Sequence, residues 1–203
     1  MKQNKLTNVR NLVLIAMLGA LSAILMLFKF PLPFAPSFYT VDIGDLPVLI
    51  GSFAIGPLAG VIIALVKNII NLVLNGTTTM FVGELANFLN SAALVLPAAL
   101  IYHRNKTKKS AIMGLVCGVI IATIASCILN VYVTLPLYCN AYGWKLDKII
   151  DMAKAVNGLV TNLNTYVICA VVPFNLVKGG LTSLITIVIY KYVSKYIHSY
   201  QNH

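Results

Sequence analysis

Residues 46–74 read LPVLIGSFAIGPLAGVIIALVKNIINLVL, an apolar stretch that Gly56-Pro57 interrupts near its middle. The way in which this stretch crosses a membrane decides the topology of the whole chain. The ten residues before the interruption would reach only about 15 Å as a helix, which is half of the apolar core of a bilayer. The stretch is therefore either one kinked helix or two helices that reverse at Gly56-Pro57, because proline disturbs a continuing helix.

The composition of the chain is that of a membrane protein. It has 203 residues, of which 59% are hydrophobic and only 10% are charged. A soluble domain is typically about 45–50% apolar and about 25% charged, so a soluble fold could not bury this surplus. At about 20 apolar residues per crossing, the length suffices for five or six spans with short loops. We predict an all-α multi-pass protein of the cell membrane, with residues 1–203 forming one membrane domain.

Six apolar segments end at proline, glycine, asparagine or charged residues. These predicted spans cover residues 11–28, 46–55, 58–74, 84–102, 111–133 and 173–193. Because lysine and arginine collect on the cytoplasmic side of membrane proteins, the basic run 104–109 should lie beside the basic N-terminus. That placement requires an even number of crossings before residue 104, which two helices over residues 46–74 supply. The sequence thus predicts a six-transmembrane-helix bundle with both termini in the cytoplasm.

This topology separates the charges of the chain. The inner side carries nine lysines and arginines and no acid. The outer side carries four lysines and the four aspartates Asp42, Asp45, Asp147 and Asp151. The net charge of +10 therefore reflects the topology. No basic run is interleaved with aromatic residues, which argues against nucleic acid as a partner.

Three polar side chains lie at a similar depth in the last two predicted spans. A polar group inside a bilayer costs a few kcal/mol unless it has a partner or faces a cavity, so it indicates function. Asn175 and Lys178 are three residues apart and therefore share one face of the sixth span. Asn130, near the outer end of the fifth span, should reach the same level. We expect Asn130, Asn175 and Lys178 to converge near the outer surface.

These residue types suit a flat heterocyclic ligand. An asparagine amide offers a donor and an acceptor together, whereas lysine offers donors only. The combination matches the alternating C=O, N–H and C=O edge of an imide-like ring. Structural alternatives stay open, since Lys178 and Asn175 can serve the helix end or the headgroups, and Asn130 can bond a neighbouring helix.

A second polar pair, Glu84 and Asn87, lies at the outer start of the fourth span and can line the same cavity. An acid in the first turn of a helix also interacts favourably with the helix dipole, so Glu84 has a structural alternative. Lys67 and Asn68 in the third span have no evident partner in the sequence. An ion pair between Lys67 and Glu84 is possible and would be structural.

Small residues form a stripe on the first span. Ala16 and Ala20, with Gly19 and Ala23 beside them, give small-xxx-small spacings that let another helix approach closely. The pattern is common in membrane bundles, and alone it favours packing within the chain over contact with a partner subunit.

Two outer segments are long for a bundle of this size. Residues 29–44 are rich in proline and aromatic residues, and residues 137–172 carry Tyr138, Tyr142 and Trp144. Long ordered loops usually cover a site. The alternative for Tyr142 and Trp144 is an aromatic belt at the level of the headgroups.

Several patterns that would indicate an enzyme are missing from the sequence. It contains no G-x-x-x-x-G-K-[ST], G-x-S-x-G or H-E-x-x-H, which argues against a P-loop and against common hydrolase sites. The cysteines and histidines lack metal-ligand spacing, so we predict no metal and no cofactor. A small enzyme that acts on lipid headgroups through Glu84, Asp42 and Lys178 is one alternative. A purely structural membrane subunit is another.

A set of short segments carries a family resemblance by its order along the chain. The segments are residues 16–20 (AMLGA), 38–47 (FYTVDIGDLP), 56–60 (GPLAG), 67–68 (KN) and 83–87 (GELAN), followed by Asn130 and Asn175-x-x-Lys178. Together they resemble the S components of energy-coupling factor (ECF) transporters, specifically the riboflavin-specific (RibU) type. The resemblance covers most of the chain.

The resemblance implies a six-helix bundle that holds one vitamin in an outward cavity. It implies that Asn130, Asn175 and Lys178 bind the polar edge of the flavin ring, with Tyr39 and Thr40 assisting. Riboflavin would then be the transported ligand, and no bound cofactor is expected.

The resemblance also implies partners. The face around Ala16 and Ala20 would contact a transmembrane coupling subunit, whose two cytoplasmic ATPase subunits supply the energy. The whole S component would tilt to carry its site inward. We therefore expect a riboflavin-binding subunit that is not itself an enzyme. An S component for a different vitamin is the nearest alternative, because recognition of an imide by asparagine is not unique to flavins.

Overall fold

The computed structural model describes residues 8–33, 39–77 and 79–201, with side chains up to residue 192. Nine α-helices make up most of this described part. They are α1 Val9–Leu27, α2 Asp45–Ala54, α3 Pro57–Asn75, α4 Val82–Asn105, α5 Lys108–Leu129, α6 Leu135–Tyr142, α7 Leu146–Val156, α8 Leu163–Tyr166 and α9 Val172–Gln201. Two π-helical turns, Asn130–Thr134 and Val167–Val171, join α5 to α6 and α8 to α9.

Five helical segments are long and apolar enough to cross a bilayer. They are Val9–Leu27, Pro57–Asn75, Val82–Asn105, Lys108–Tyr142 and Leu163–Tyr192. Large apolar side chains cover the outside of the bundle, among them Met17, Val116 and Leu184, which are 62%, 54% and 62% exposed. A water-soluble protein rarely exposes apolar surface so continuously. The mostly helical, membrane-spanning class is confirmed, while α2 is too short to be counted with these five.

The chain reverses direction at Gly56-Pro57, as one of the two sequence-based alternatives requires. Gly56 has φ +152°, and Pro57 begins α3, the helix position at which proline is best tolerated. Gly60 lies against Ser52, because a Cβ on Gly60 would come within 2.5 Å of the Ser52 Cβ. One continuous helix would hold these two residues about 12 Å apart. α2 and α3 therefore form an antiparallel hairpin, and the single kinked helix is excluded.

The short α2 is completed by the first loop. Two-residue strands β1, Phe30–Pro31, and β2, Thr40–Val41, pair antiparallel, and the chain then runs inward to the start of α2 at Asp45. Val41 and Asp42 are each 1% exposed, so this extended segment is buried in the bundle next to the start of α2. Phe34, Pro36 and Phe38 of the predicted aromatic loop lie outside the described residues.

The last long helix begins earlier than its predicted span. The sequence places its start at Pro173, whereas helical structure begins at Leu163. Proline has no N–H to donate to the carbonyl four residues before it. That carbonyl, Cys169 O, instead accepts a hydrogen bond of 3.1 Å from Asn157 Nδ2. A π-helical turn and a side-chain donor thus let the helix pass through Pro173 without leaving a carbonyl bare.

Helix α7 lies over one end of the bundle. Its Ile149 and Ala153 are buried, one helical turn apart. Its charged residues Asp147, Lys148, Asp151 and Lys154 are exposed. This division is typical of a helix that packs one face against the protein and leaves the other in water.

Candidate ligand-binding site

A cavity of about 440 Å³ opens at one end of the bundle. Met26 near the end of α1 and Gly83 near the start of α4 both line it. The turn that joins α4 to α5, with the basic run 104–109, therefore lies at the opposite end. The volume falls within the range of about 300–1,000 Å³ that is usual for small-molecule sites.

The structure brings most of the predicted site residues together. Six of the seven predicted ligand-binding residues line this cavity: Tyr39, Thr40, Glu84, Asn87, Asn130 and Lys178. They come from the first loop, α4, the first π-helical turn and α9. Residues far apart in the sequence thus share one enclosure.

Asn130 is the first residue of its π-helical turn, a distortion that often marks functional sites. Its Nδ2 donates to Ser126 O at 2.9 Å. Its Oδ1 accepts a hydrogen bond from the Tyr39 hydroxyl, which also lies 2.9 Å from the Tyr166 hydroxyl. Burial, together with the neighbouring Tyr166, raises the pKa of Tyr39 well above its ordinary value, so its phenol stays protonated.

Lys178 does not snorkel toward headgroups. Its Nζ lies 3.0 Å from Asp42 Oδ2, and the Asp42 side chain is almost fully buried. The other carboxylate oxygen of Asp42 accepts the Gly44 N–H at 2.9 Å. The sequence counts Asp42 on the outer side and gives it no partner; in the structure its carboxylate is buried in the bundle and neutralises a lysine.

Asn175 is the predicted ligand-binding residue that does not line the cavity. It is 8% exposed, and its Nδ2 donates to Val171 O, four residues earlier, at 2.8 Å. Val171 ends the second π-helical turn. The side chain thus supports a helix distorted by Pro173, and its contact with a ligand stays a prediction.

Glu84 does more than interact with the helix dipole. Its Oε2 accepts hydrogen bonds from Thr79 Oγ1 at 2.9 Å and from Thr77 Oγ1 at 3.2 Å. Two hydroxyls of the α3–α4 loop thus hold the carboxylate at the cavity wall. Thr78, between them, is outside the described residues.

Lys67 pairs with an acid that the sequence did not suggest. Its Nζ lies 2.6 Å from Asp45 Oδ1 and is fully buried. The possible pairing of Lys67 with Glu84 is therefore wrong, and Asp45, which the sequence counts on the outer side without a partner, is buried. The reason is the hairpin, which sets the first residue of α2 against the middle of α3.

Aromatic rings cover two sides of the cavity. Tyr39 packs on Phe174 with ring centroids 4.6 Å apart. Tyr142 stacks on Tyr138 at 5.9 Å and on Trp144 at 4.7 Å. All five rings line the cavity, so Tyr142 and Trp144 face a site.

Sequence reasoning missed two asparagines of the same cavity, Asn71 on α3 and Asn90 on α4. Asn90 follows Asn87 by three residues, so the spacing rule that joined Asn175 with Lys178 would have placed both on one face of α4. Asn71 lies one turn beyond Lys67 and could have been found in the same way.

The small residues of α1 divide between two faces. Ala23 is fully buried, and a Cβ on Gly19 would come within 2.5 Å of Val66 Cγ1. Ala16 is exposed and Ala20 is partly exposed. Gly19 and Ala23 thus pack inside the chain, while Ala16 and Ala20 remain accessible from outside.

The fold and the cavity define a multi-pass membrane protein with a small-molecule site at one end of its bundle. In the part of the chain that the structure describes, no three His, Cys, Asp or Glu side chains come together as metal ligands. Comparison with known proteins identifies the family. Residues 10–190 match the family model of the substrate-specific component of ECF transporters, and the chain belongs to this family.

Two relatives and one solved structure support the assignment. The riboflavin transporter RibU of Staphylococcus aureus is 37% identical over 97% of this chain and 94% of its own. The riboflavin transporter FmnP of Bacillus subtilis is 31% identical over 87% of this chain and 88% of its own. A structure of the S component of a bacterial ECF transporter superposes with a TM-score of 0.72 at 34% identity, over 93% of this chain and 97% of that one.

These findings confirm the family resemblance found in the sequence. They also confirm a multi-pass protein of the cell membrane that is a transporter component and not an enzyme. The alternatives of a lipid-headgroup enzyme and of a purely structural subunit are therefore set aside.

Proposed function

We propose that the chain is the riboflavin-binding S component of an ECF vitamin uptake transporter. The single observation that carries the proposal is the cavity itself, where Asn130 and Lys178 meet the rings of Tyr39 and Phe174. An amide and an ammonium fit the polar edge of the flavin, and the aromatic rings fit its flat surface. Relatives that cover most of the chain are named riboflavin transporters.

The donors at the polar edge are partly used within the protein. Lys178 gives one of its three N–H groups to Asp42, which leaves two for a carbonyl oxygen of the ring. Asn130 would exchange its bond with Tyr39 for bonds to the ligand. Asn175, one turn before Lys178 on α9, would join by turning its amide away from Val171 O.

We also propose six crossings with both termini in the cytoplasm. The second crossing would consist of α2 and the buried segment from residue 41 to residue 44. The basic run 104–109 would then face the cytoplasm, and the cavity at the other end would face outward. This orientation suits a subunit that captures a vitamin from the outside.

The partners in this proposal are a transmembrane coupling subunit and two cytoplasmic ATPase subunits. The exposed Ala16 and the partly exposed Ala20 offer a smooth surface on which another helix can lie closely. Energy would come from the partners, because the chain has no P-loop sequence of its own. The S component would tilt as a body to open its cavity inward.

Intrinsic fluorescence tests riboflavin binding directly. The chain has one tryptophan, Trp144, and it lines the cavity. Titration of riboflavin into the detergent-purified protein should quench this fluorescence to saturation at about one ligand per chain. Thiamine and biotin serve as control vitamins that should not compete. Protein that is colourless after growth with riboflavin, and whose fluorescence riboflavin leaves unchanged, would contradict the proposal.

A further inference from the structure

A second polar network adjoins the cavity and takes no part in the proposed recognition of the flavin edge. At its centre is Lys67 on α3, whose side chain is fully buried. Its Nζ contacts Asp45 Oδ1 at 2.6 Å, Ser91 Oγ at 2.9 Å and Asn87 Oδ1 at 3.2 Å. Three helices, α2, α3 and α4, thus meet at one ammonium group.

This network uses every donor of the lysine. An ammonium group has three N–H donors and no acceptor, and the three contacts of Lys67 account for all of them. Ser91 Oγ in turn donates to Asp45 Oδ1 at 2.5 Å. A buried charge without a partner is costly, so Lys67 is held firmly in this position.

The lysine fixes the orientation of the Asn87 amide. If the amide were rotated by half a turn, its NH₂ group would point at an ammonium that can only donate, and the bond would be lost. Asn87 Oδ1 must therefore face Lys67. The Nδ2 group consequently points the other way, and among the described residues no acceptor bonds to it. Because Asn87 lines the cavity, its two N–H donors are available to a ligand.

We infer that Lys67 is a positioning residue for ligand binding, because it orients Asn87 so that the bound molecule must present a hydrogen-bond acceptor there. The inference rests on the proposed function and adds a third contact region to it, on α4. It also explains why a fully buried ion pair lies beside a binding cavity. Replacing such a pair by apolar residues is often neutral for stability, so stability alone does not account for it.

A double-mutant cycle separates positioning from a purely structural role. The paired variant Asp45→Asn/Lys67→Met removes both charges together and avoids a stranded buried carboxylate. Asn87→Ala removes the oriented amide. Each should weaken riboflavin binding by about threefold to tenfold, the effect of losing one hydrogen bond. A protein with all three substitutions should bind riboflavin no more weakly than the paired variant or Asn87→Ala, since the paired variant and Asn87→Ala remove the same contact.

The control addresses loss of stability. Tyr102→Phe removes a buried hydrogen bond of 3.2 Å between the Tyr102 and Tyr190 hydroxyls, in the packed core away from the cavity. It should lower the melting temperature and leave riboflavin affinity unchanged. Weaker riboflavin binding by Tyr102→Phe would overturn the inference. So would a combined variant whose loss of binding free energy equals the sum of the losses in Asn87→Ala and in the paired variant.

A further variant keeps the inference testable if the paired variant does not fold. Asn87→Asp still accepts a hydrogen bond from Lys67 but has no N–H to offer, so it should lose riboflavin affinity about as much as Asn87→Ala. Affinity equal to the wild type would overturn the inference. If the wild-type protein binds riboflavin and only these comparisons fail, the proposed function stands; if the wild type binds none, both fall.

Discussion

Lys178 is a half-buried cation that lines the cavity, and Asp42 accepts one of its three N–H groups. We expect Lys178→Ala and Asn175→Ala each to weaken riboflavin binding by about 1–3 kcal/mol, because each removes a buried polar contact. Titration of Trp144 fluorescence measures both. Lys154→Ala, on the exposed face of α7, is the matched control and should bind normally. Unchanged affinity in both variants would refute the site as assigned.

We expect Glu84 to make the cavity less favourable for a ligand with a negative charge. Two lysines nearby each have their own acid, Lys178 with Asp42 and Lys67 with Asp45. The remaining charges that line the cavity are the Glu84 carboxylate and Lys29, which is exposed. A phosphate on the ligand would thus meet a carboxylate without a buried cation to offset it.

We therefore predict that riboflavin binds more tightly than riboflavin 5′-phosphate. Glu84→Gln should narrow the difference by about 1 kcal/mol, or roughly fivefold, because it removes one repulsive charge at a partly screened distance. Competition titrations with the two flavins measure the ratio. Thr79→Val tests whether the hydroxyl that holds the carboxylate contributes. A ratio that stays the same in Glu84→Gln would show that another group sets the preference.

At the scale of single residues, the sequence predicted which polar groups matter better than it predicted their partners. Asn130 and Lys178 were found because polar groups in apolar spans are costly. The sequence counts Asp42 and Asp45 among the outer charges but gives neither a partner, since nothing in it shows that an extended loop enters the bundle. A pairing across 136 residues becomes visible only when the helices are assembled.

Among the helices, the prolines have consequences that a span prediction does not show. Pro136 and Pro173 each follow a π-helical turn by two residues. In the sequence, Pro173 indicates a helix start, because proline is common in the first turn. Proline is equally compatible with the interior of a helix if the carbonyl four residues before it, which has no backbone donor, accepts a hydrogen bond from another group. Here that donor is Asn157, which follows α7 directly.

The hydrogen bond of Asn157 thus links the end of α7, the helix over the cavity, to the π-helical turn that precedes α9. We predict that Asn157→Ala releases riboflavin about threefold to tenfold faster, because loss of this hydrogen bond loosens α7. Stopped-flow fluorescence of Trp144 measures the dissociation rate. In a Pro173→Ala background the effect should shrink, since an alanine in place of the proline supplies a backbone N–H for Cys169 O. An equal effect in both backgrounds would refute this explanation.

α4 and α5 approach each other closely at Gly114 and Gly118. A Cβ on Gly114 would come within 2.5 Å of Ala98 O, a backbone atom that cannot move aside easily. Gly114→Ala should therefore destabilise the protein by about 1–3 kcal/mol, the usual cost of overpacking. Gly180→Ala on α9 is the control of opposite sign, because open space surrounds Gly180 and alanine favours a helix. Melting temperatures in detergent should fall for the first variant and rise for the second.

For the molecule as a whole, the distribution of charges predicted the reversal of the chain between α2 and α3, which the lengths of the apolar segments alone could not. The need to place the basic run 104–109 beside the N-terminus required a reversal at Gly56-Pro57, and α2 and α3 are antiparallel. Length alone left a helix of half the required span. In the structure the first loop runs into the bundle, and its buried residues Val41 and Asp42 lead to the start of α2. The composition of the first loop does not distinguish residues that face lipid from residues that are buried, so its entry into the bundle could not be predicted.

The two faces of α1 offer a test that separates ligand capture from transport. Leucine side chains at the exposed Ala16 and the partly exposed Ala20 would project from the accessible face of α1, far from the cavity residues, so Ala16→Leu/Ala20→Leu should bind riboflavin normally. Uptake of riboflavin by cells that depend on this chain should fall strongly, because a coupling subunit could no longer approach closely. Gly19→Leu is the matched contrast: its side chain would collide with Val66, so the purified protein itself should be destabilised. Normal uptake with Ala16→Leu/Ala20→Leu would place the partner surface elsewhere on the bundle.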